Sequence, residues 1–174
     1  MKVYTSDRQT ERSRSERVKV GVADYAVAAA DAELVTSGLG SCVGIALVDP
    51  EADVAGLAHA MLPAASDGRS QTDGGGPSSA SNEAKYVDTA VSGLLRAMVE
   101  AGADRSRIEA RVAGGSAMFE FSAGEGVGER NVEATEAALA DHAIPVVATD
   151  VGGDHGRSLS FDAATGELSV RRAH

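Results

Sequence analysis

One cysteine and one histidine of this sequence stand where a thiol could be activated as a nucleophile. Cys42 is the only cysteine of the chain and directly follows the glycine-containing segment 36–41, TSGLGS. Glycines at such a bend permit positive φ angles and let backbone N–H groups approach a bound carbonyl. His59 lies in the next apolar run. Because the thiolate is the attacking form, and a neighbouring imidazolium favours the thiolate, the pair indicates cysteine-dependent nucleophilic chemistry.

A hairpin would place both side chains on one face of a sheet. A four-residue loop at 49–52 puts the proline of its Asp-Pro-Glu-Ala sequence at the favoured second position of a type I turn. Val48 then lies opposite Asp53, and by the same count Cys42 lies opposite His59. Directly opposite residues have Cβ atoms about 4.5–5.5 Å apart, near enough for the imidazole to take the thiol proton. A loop of odd length would put the two side chains on opposite faces.

Two further groups are candidates to complete such a site. Thr36 ends the preceding strand, and its hydroxyl is placed to orient the imidazole. The backbone N–H groups of Ser41 and Cys42 are candidate donors to a developing oxyanion. Alternatively, the cysteine is a small buried hydrophobe, the histidine a core residue with a satisfied ring, and the threonine a choice of β propensity. The coincidence of the only thiol, a glycine bend and a histidine in register favours the site.

Composition excludes several other classes of protein. A chain of 174 residues suits one domain, and a net charge of −10 with pI near 4.8 argues against nucleic-acid binding. No apolar run reaches the roughly 18 residues of a membrane span, so no membrane insertion is expected. The other histidines show no metal-ligand spacing, and neither glycine motif fits a nucleotide site, so no metal or cofactor is expected. The single cysteine and the polar N-terminus favour a cytoplasmic location.

Hydrophobic periodicity predicts an α/β (α+β) protein with a mainly antiparallel, β-sandwich-like sheet core and two main flanking helices. Several predicted strands follow one another directly, which favours antiparallel pairing. Amphipathic spacing marks the two helices. The predicted strands lie at 18–27, 33–36, 42–48, 54–62, 108–113, 145–150, 157–161 and 167–171, and the helices at 83–101 and roughly 128–142.

Two segments have the composition of flexible chain. Residues 1–17 are rich in charge and lack apolar periodicity, which predicts a mobile N-terminal tail ahead of one domain over 18–174. Residues 64–81, AASDGRSQTDGGGPSSAS, predict a flexible loop inserted within that domain. Met118 and Phe119 follow a double glycine and are either ordinary core or an exposed anchor for a partner or protein substrate.

Around Thr36, Cys42 and His59 the sequence resembles the CheD family, the chemoreceptor glutamine deamidases of bacterial and archaeal chemotaxis. The resemblance runs in the family's order and covers essentially residues 18–172. The threonine, cysteine and histidine at this spacing are its specific part, whereas the glycine motifs alone would not be. The matching stretches are 36–42 (TSGLGSC), 59–63 (HAMLP), 85–90 (KYVDTA), 113–119 (AGGSAMF), 128–131 (GERN) and 149–157 (TDVGGDHGR).

The resemblance implies a role for each candidate residue. Cys42 would be the nucleophile, His59 the general base, and Thr36 the residue that helps to set the histidine. The implied reaction is hydrolysis of selected glutamine side-chain amides in methyl-accepting chemotaxis receptors, through a thioester, with release of ammonia. The family also commonly binds the phosphatase CheC, which competes with receptor for the same surface.

Two other functions remain open at this point. The chain could be a non-catalytic binding module that regulates a CheC-type phosphatase or another chemotaxis adaptor. The same residue pair could also support transglutamination or proteolysis, because an acyl-enzyme partitions between water and amine according to access.

Overall fold

The computed structural model describes residues 16–29, 31–64, 83–117 and 126–173. Within these ranges the chain forms nine β-strands and two α-helices, together with short 3-10 turns at Glu83–Lys85 and Arg105–Arg107. The predictions of a mobile tail over most of 1–17, of a flexible loop over most of 64–81, and of a partner surface at Met118 and Phe119 lie outside the described residues. Strands β1 to β9 span Arg17–Lys19, Asp24–Ala29, Glu33–Leu39, Val43–Asp49, Val54–Ala60, Glu109–Gly114, Val146–Val151, Gly156–Asp162 and Leu168–Ala173, and helices α1 and α2 span Val87–Glu100 and Val127–Asp141.

The strands form two sheets. The first has the order β1-β3-β8-β9 and the second the order β2-β5-β4-β6-β7. Of the seven strand pairs that the described residues form, five are antiparallel, whereas β1 with β3 and β6 with β7 run parallel. The predicted mixed fold with a mainly antiparallel sheet core and two main helices is confirmed.

In the described part of the chain, strands β4 and β5 lie between the first sheet and the helices and contribute to two hydrophobic clusters. Every residue of the two strands is buried, because one face packs on the first sheet and the other on the helices. Between the sheets, Leu57 packs in one cluster with Leu34 and Phe161. Beneath the helices, Ile45 packs in a second cluster with residues of both helices. Full burial of such a side chain stabilises the fold by about 1.5–3 kcal/mol.

The strand predicted over residues 18–27 is wrong as a single element, because the chain changes sheet in its middle. The Val20 N–H donates to the Val35 carbonyl of β3, in the first sheet. Three residues later, the Ala23 N–H donates to the His59 carbonyl of β5, in the second sheet. Ala23 has a φ of 60°, which turns the chain between the two pairings. An alternating pattern continues across this turn, so the sequence did not mark it.

Candidate active site

The candidate cysteine lies where the chain crosses from the first sheet to the second. The pairing of β3 with β8 is irregular between Thr36 and Leu39, and Gly38 there has a φ of +76°. The chain then passes through Gly40 and Ser41 to Cys42, and β4 begins at the next residue. Cys42 is partly buried and packs against the cluster between the sheets. The bend therefore brings the thiol to the edge of the inter-sheet layer.

The predicted register of the following hairpin is wrong by one residue on each strand. Asp49 pairs with Val54, so the loop is 50–53 and Gly44, not Cys42, lies opposite His59. The two one-residue shifts together move the pairing by two residues. Side chains alternate between faces with a period of two, so Cys42 stays on the same sheet face as His59, as a diagonal neighbour. Diagonal neighbours lie about 7–8 Å apart, still within reach of long and aromatic side chains.

The register changes because Asp49 is held as the last residue of its strand. Its buried carboxylate accepts hydrogen bonds from the N–H groups of Glu51 and Ala52, in a local turn. The Arg107 side chain also donates to both carboxylate oxygens, each at 3.0 Å. Burial works to raise the pKa of Asp49, but these hydrogen bonds outweigh it and lower that pKa to about 2.

The imidazole of His59 is fixed in a single tautomer by Thr36. His59 is completely buried, and its Nδ1 lies 2.8 Å from the Thr36 Oγ1. The Thr36 hydroxyl donates its only hydrogen to the Val20 carbonyl, at 2.7 Å. Its oxygen must therefore accept from His59, which places the imidazole proton on Nδ1. The Nε2 atom carries the free lone pair and has no hydrogen-bond partner among the described residues.

Burial keeps both members of the pair neutral. It lowers the pKa of His59 to about 4, because no charged group nearby compensates the lost hydration of the imidazolium. It also raises the pKa of the Cys42 thiol, against a smaller lowering by the cysteine's own backbone N–H. At neutral pH the side chains are thus a thiol and an imidazole, not the thiolate and imidazolium considered from the sequence. The arrangement suits a base that takes the thiol proton during attack.

Three successive carbonyl groups are held on the inner side of the bend. The Gly40 and Cys42 carbonyls accept the N–H groups of Ser116 and Gly115, each at 2.8 Å. The Ser41 carbonyl accepts from a side-chain amide of α2. Since N–H and C=O point in opposite directions across a trans peptide, the Ser41 and Cys42 N–H groups face away from these partners. They also precede β4, which begins at Val43, so they remain candidate oxyanion donors.

Comparisons with known proteins give the chain a family. The family model described as CheD chemotactic sensory transduction matches residues 61–172. The chain belongs to the CheD family. Its relatives include the probable chemoreceptor glutamine deamidase CheD of Haloarcula marismortui, which is 46% identical over 100% of this chain and 96% of the relative. The chemoreceptor glutamine deamidase CheD of Halalkalibacterium halodurans is 42% identical over 90% of this chain and 94% of its own.

The alignments with these relatives cover 90–100% of this chain and therefore extend over the site, whereas the family-model match begins two residues beyond His59. The Natronomonas pharaonis relative, also a probable chemoreceptor glutamine deamidase CheD, is 42% identical over 93% of this chain and 92% of its own. Among solved structures, a Neisseria meningitidis protein of family DUF152 covers 86% of this chain and 67% of its own, with a TM-score of 0.46 and 10% identity.

One buried polar residue of this CheD-family chain was not predicted to serve the site. Asn131 of α2 is fully buried and donates from Nδ2 to the Ser41 carbonyl at 2.7 Å and to the Met61 carbonyl at 2.9 Å. In the sequence it appeared only within the matching stretch GERN. Its helical spacing with Thr135 and Ala138 gives the signal, because an asparagine within a buried stripe needs polar partners.

Residues 149–157, one of the stretches that resemble the CheD family, contain an ion pair that stabilises the bend at Cys42. Arg157 is 2% exposed and donates to the Asp150 carboxylate from Nε and Nη2, at 3.2 and 3.1 Å. Its Nη1 donates to the Gly114 carbonyl at 3.4 Å. The pair therefore holds the segment that in turn holds Gly40 and Cys42.

Two features are absent from the residues that the structure describes. Neither helix is long and apolar enough to cross a membrane. In the same part of the chain, no three His, Cys, Asp or Glu side chains gather in a way that could hold a metal ion.

Proposed function

We propose that this chain is a chemoreceptor glutamine deamidase with Cys42 as nucleophile and His59 as general base. One observation carries the chemistry: the Thr36 hydroxyl leaves His59 with an unprotonated Nε2, on the same sheet face as the only thiol. The substrate class is supported by the names of relatives at 42–46% identity. The reaction is hydrolysis of a glutamine side-chain amide to glutamate and ammonia.

The first half of the reaction forms a thioester. Nε2 of His59 removes the thiol proton while the Cys42 sulfur attacks the amide carbon, and the carbonyl π electrons move to oxygen. The Ser41 and Cys42 N–H groups donate to that oxyanion. When the carbonyl re-forms, the carbon–nitrogen bond breaks, and the imidazolium gives its proton to the leaving nitrogen as ammonia departs.

The second half regenerates the thiol. His59 removes a proton from a water molecule, whose oxygen attacks the thioester carbon. Collapse of this second tetrahedral intermediate breaks the carbon–sulfur bond, and the imidazolium returns its proton to the departing sulfur. One water is consumed for each ammonia released, and the free enzyme is restored.

The proposal includes an approach of the Cys42 thiol to the His59 Nε2 when substrate binds. Cys42 makes no hydrogen bond to the His59 Nε2 in the structure, although both residues are described. A diagonal pair can meet by rotation of the cysteine side chain, and hydrogen bonds of a catalytic site often tighten when substrate binds. Substrate binding would also remove water from the oxyanion donors, which strengthens their interaction with the developing charge.

The partners follow from the family. We propose methyl-accepting chemotaxis receptors as protein substrates and a CheC-type phosphatase as a second partner on an overlapping surface, with Met118 and Phe119 as its candidate apolar anchor. A cytoplasmic location, and the absence of a cofactor, a metal, a nucleic-acid partner and membrane insertion, are part of the same proposal.

Mass spectrometry of a receptor fragment tests the reaction. Purified protein at suitable salt should convert selected receptor glutamines to glutamate, and Cys42→Ala should abolish the conversion while far-UV circular dichroism stays unchanged. Conversion by Cys42→Ala, or none by the wild type on any native chemoreceptor, would contradict the proposal.

Two further measurements, a swimming assay of cells that carry the variants and an amine-incorporation assay of the purified protein, separate the two alternatives. A binding module would keep chemotactic swimming in Cys42→Ala and lose it in Phe119→Asp. A transglutaminase would incorporate a primary amine at the receptor glutamine instead of water.

A further inference from the structure

A single amide of α2 joins the two parts of the chain that carry the candidate nucleophile and base. Asn131 Nδ2 uses its two hydrogens on the carbonyls of Ser41 and Met61. Ser41 immediately precedes Cys42, and Met61 follows His59 by two residues. The amide therefore fixes the bend and the end of β5 relative to each other.

The bond to Ser41 acts on one particular peptide group. The Ser41 carbonyl and the Cys42 N–H belong to the same planar unit and point in opposite directions. Directing the carbonyl at Asn131 turns the N–H away from α2. A hydrogen bond accepted by the carbonyl also polarises the peptide and makes its N–H a better donor. Asn131 thus sets both the direction and the strength of a proposed oxyanion donor.

Asn131 keeps this place at a cost in stability. Its Oδ1 is buried and has no hydrogen-bond partner among the described residues. An unsatisfied buried acceptor costs free energy, because it gives up its hydrogen bonds to water without replacing them. Departures from full hydrogen-bond satisfaction concentrate at functional sites, where a role offsets the loss. The position beside the bend fits such a role.

Two glycines let α2 approach closely enough for this contact. A Cβ atom on Gly128 would lie 2.7 Å from the Gly115 carbonyl oxygen, and one on Gly115 would lie 2.9 Å from the Gly128 carbonyl oxygen. Both distances are shorter than van der Waals contact. The first turn of α2 therefore rests directly on the segment that also holds the Cys42 carbonyl.

We propose that Asn131 is the positioning residue for the oxyanion donor of this enzyme. It does not touch substrate. It holds and polarises the Ser41–Cys42 peptide, whose N–H group receives the negative oxygen of the tetrahedral intermediate. The inference rests on the proposed deamidase function and adds to it a residue whose main effect falls on the steps that create an oxyanion.

The test compares a reaction that has an oxyanion with one that lacks it. Receptor deamidation passes through a tetrahedral oxyanion, whereas alkylation of Cys42 by iodoacetamide is a displacement of iodide by sulfur. Asn131→Leu keeps the side-chain shape and removes the amide donor. We expect kcat for deamidation to fall about 100-fold with KM nearly unchanged, and the alkylation rate to stay within about twofold of wild type.

Thr135→Val is the matched control. Thr135 is equally buried on the same helix, one turn further on, and among the described residues its hydroxyl donates to the Asn131 carbonyl, within the helix. This variant should keep both rates. If Asn131→Leu does not fold, Asn131→Ala removes the same amide donor without introducing a charge, and the same split between the two rates is expected.

Any other outcome contradicts either the positioning role of Asn131 or the proposed function. An undiminished kcat in folded Asn131→Leu or Asn131→Ala, or an alkylation rate that falls as far as kcat, would overturn the positioning role alone. Absence of deamidation by the wild-type protein would overturn the proposed function and this inference with it.

Discussion

The hydroxyl of Thr36 has one hydrogen to give, and the fold directs it to a main-chain carbonyl. This choice makes the residue an acceptor toward His59 and so determines which imidazole nitrogen is basic. A side chain without an oxygen at position 36 would leave the Nδ1 hydrogen without its acceptor and the Val20 carbonyl without its donor. Base and orienting group thus work as one unit.

We expect Thr36→Val to lower the deamidation rate by about 10²- to 10⁴-fold, which is the usual contribution of a positioned general base. The reason is the loss of tautomer control in a side chain of nearly the same shape. Measured kcat for receptor deamidation checks this, and Thr36→Ser, which keeps the hydroxyl, serves as the control. Equal rates for the valine variant and wild type would contradict the assignment.

At the scale of elements, the approach of α2 to the bend depends on a residue without a side chain. We expect Gly128→Ala to destabilise the protein by about 1–3 kcal/mol, because the added methyl group has no room against residues 115 and 116. Urea unfolding measures this effect. The control is Gly21→Ala, since Gly21 is exposed and has nothing within 4 Å of its Cβ position. A free energy of unfolding equal to wild type in Gly128→Ala would show that α2 can shift without cost.

Several elements were predictable from the sequence because their burial is one-sided or complete. The amphipathic spacing of α1 and the apolar runs of β4 and β5 report burial directly. The hairpin register could not be predicted, because it depends on hydrogen bonds between Asp49 and Arg107, which lies far along the chain. The roles of Cys42, His59 and Thr36 were proposed from residue types and resemblance, and their grouping survives the register shift because the shift is even. Asn131 was missed because the helical spacing marks it only as a polar residue within a buried stripe, and its partners are backbone carbonyls, which no residue type identifies.

At the scale of the whole molecule, burial of His59 links stability to pH. The pKa of its imidazole falls from an ordinary 6.5 to about 4 on folding, so between these values the unfolded chain binds a proton that the native protein does not. We expect the histidine's contribution to be fully present above pH 6.5 and to be lost as pH falls toward 4, by about 3 kcal/mol. Urea unfolding at pH 7 and pH 5 measures the slope.

The control for this slope is His59→Gln, which removes the titrating group. Its stability should change less than that of wild type over the same interval, once the carboxylates common to both proteins are accounted for. Equal slopes in the two proteins would show that the native imidazole takes up its proton as readily as the unfolded one.

The acceptor that completes the Thr36 interaction belongs to the main chain of Val20, at the point where the chain leaves β1 for β2. No substitution of the Val20 side chain removes that oxygen, so substitutions at position 20 do not test the role of the carbonyl group. The oxygen is in place only while a three-residue edge strand stays docked. Local fraying of such a short edge strand requires little free energy, and it would allow the imidazole proton to exchange between the two ring nitrogens. Catalytic activity therefore depends on the docking of the shortest strand in the first sheet.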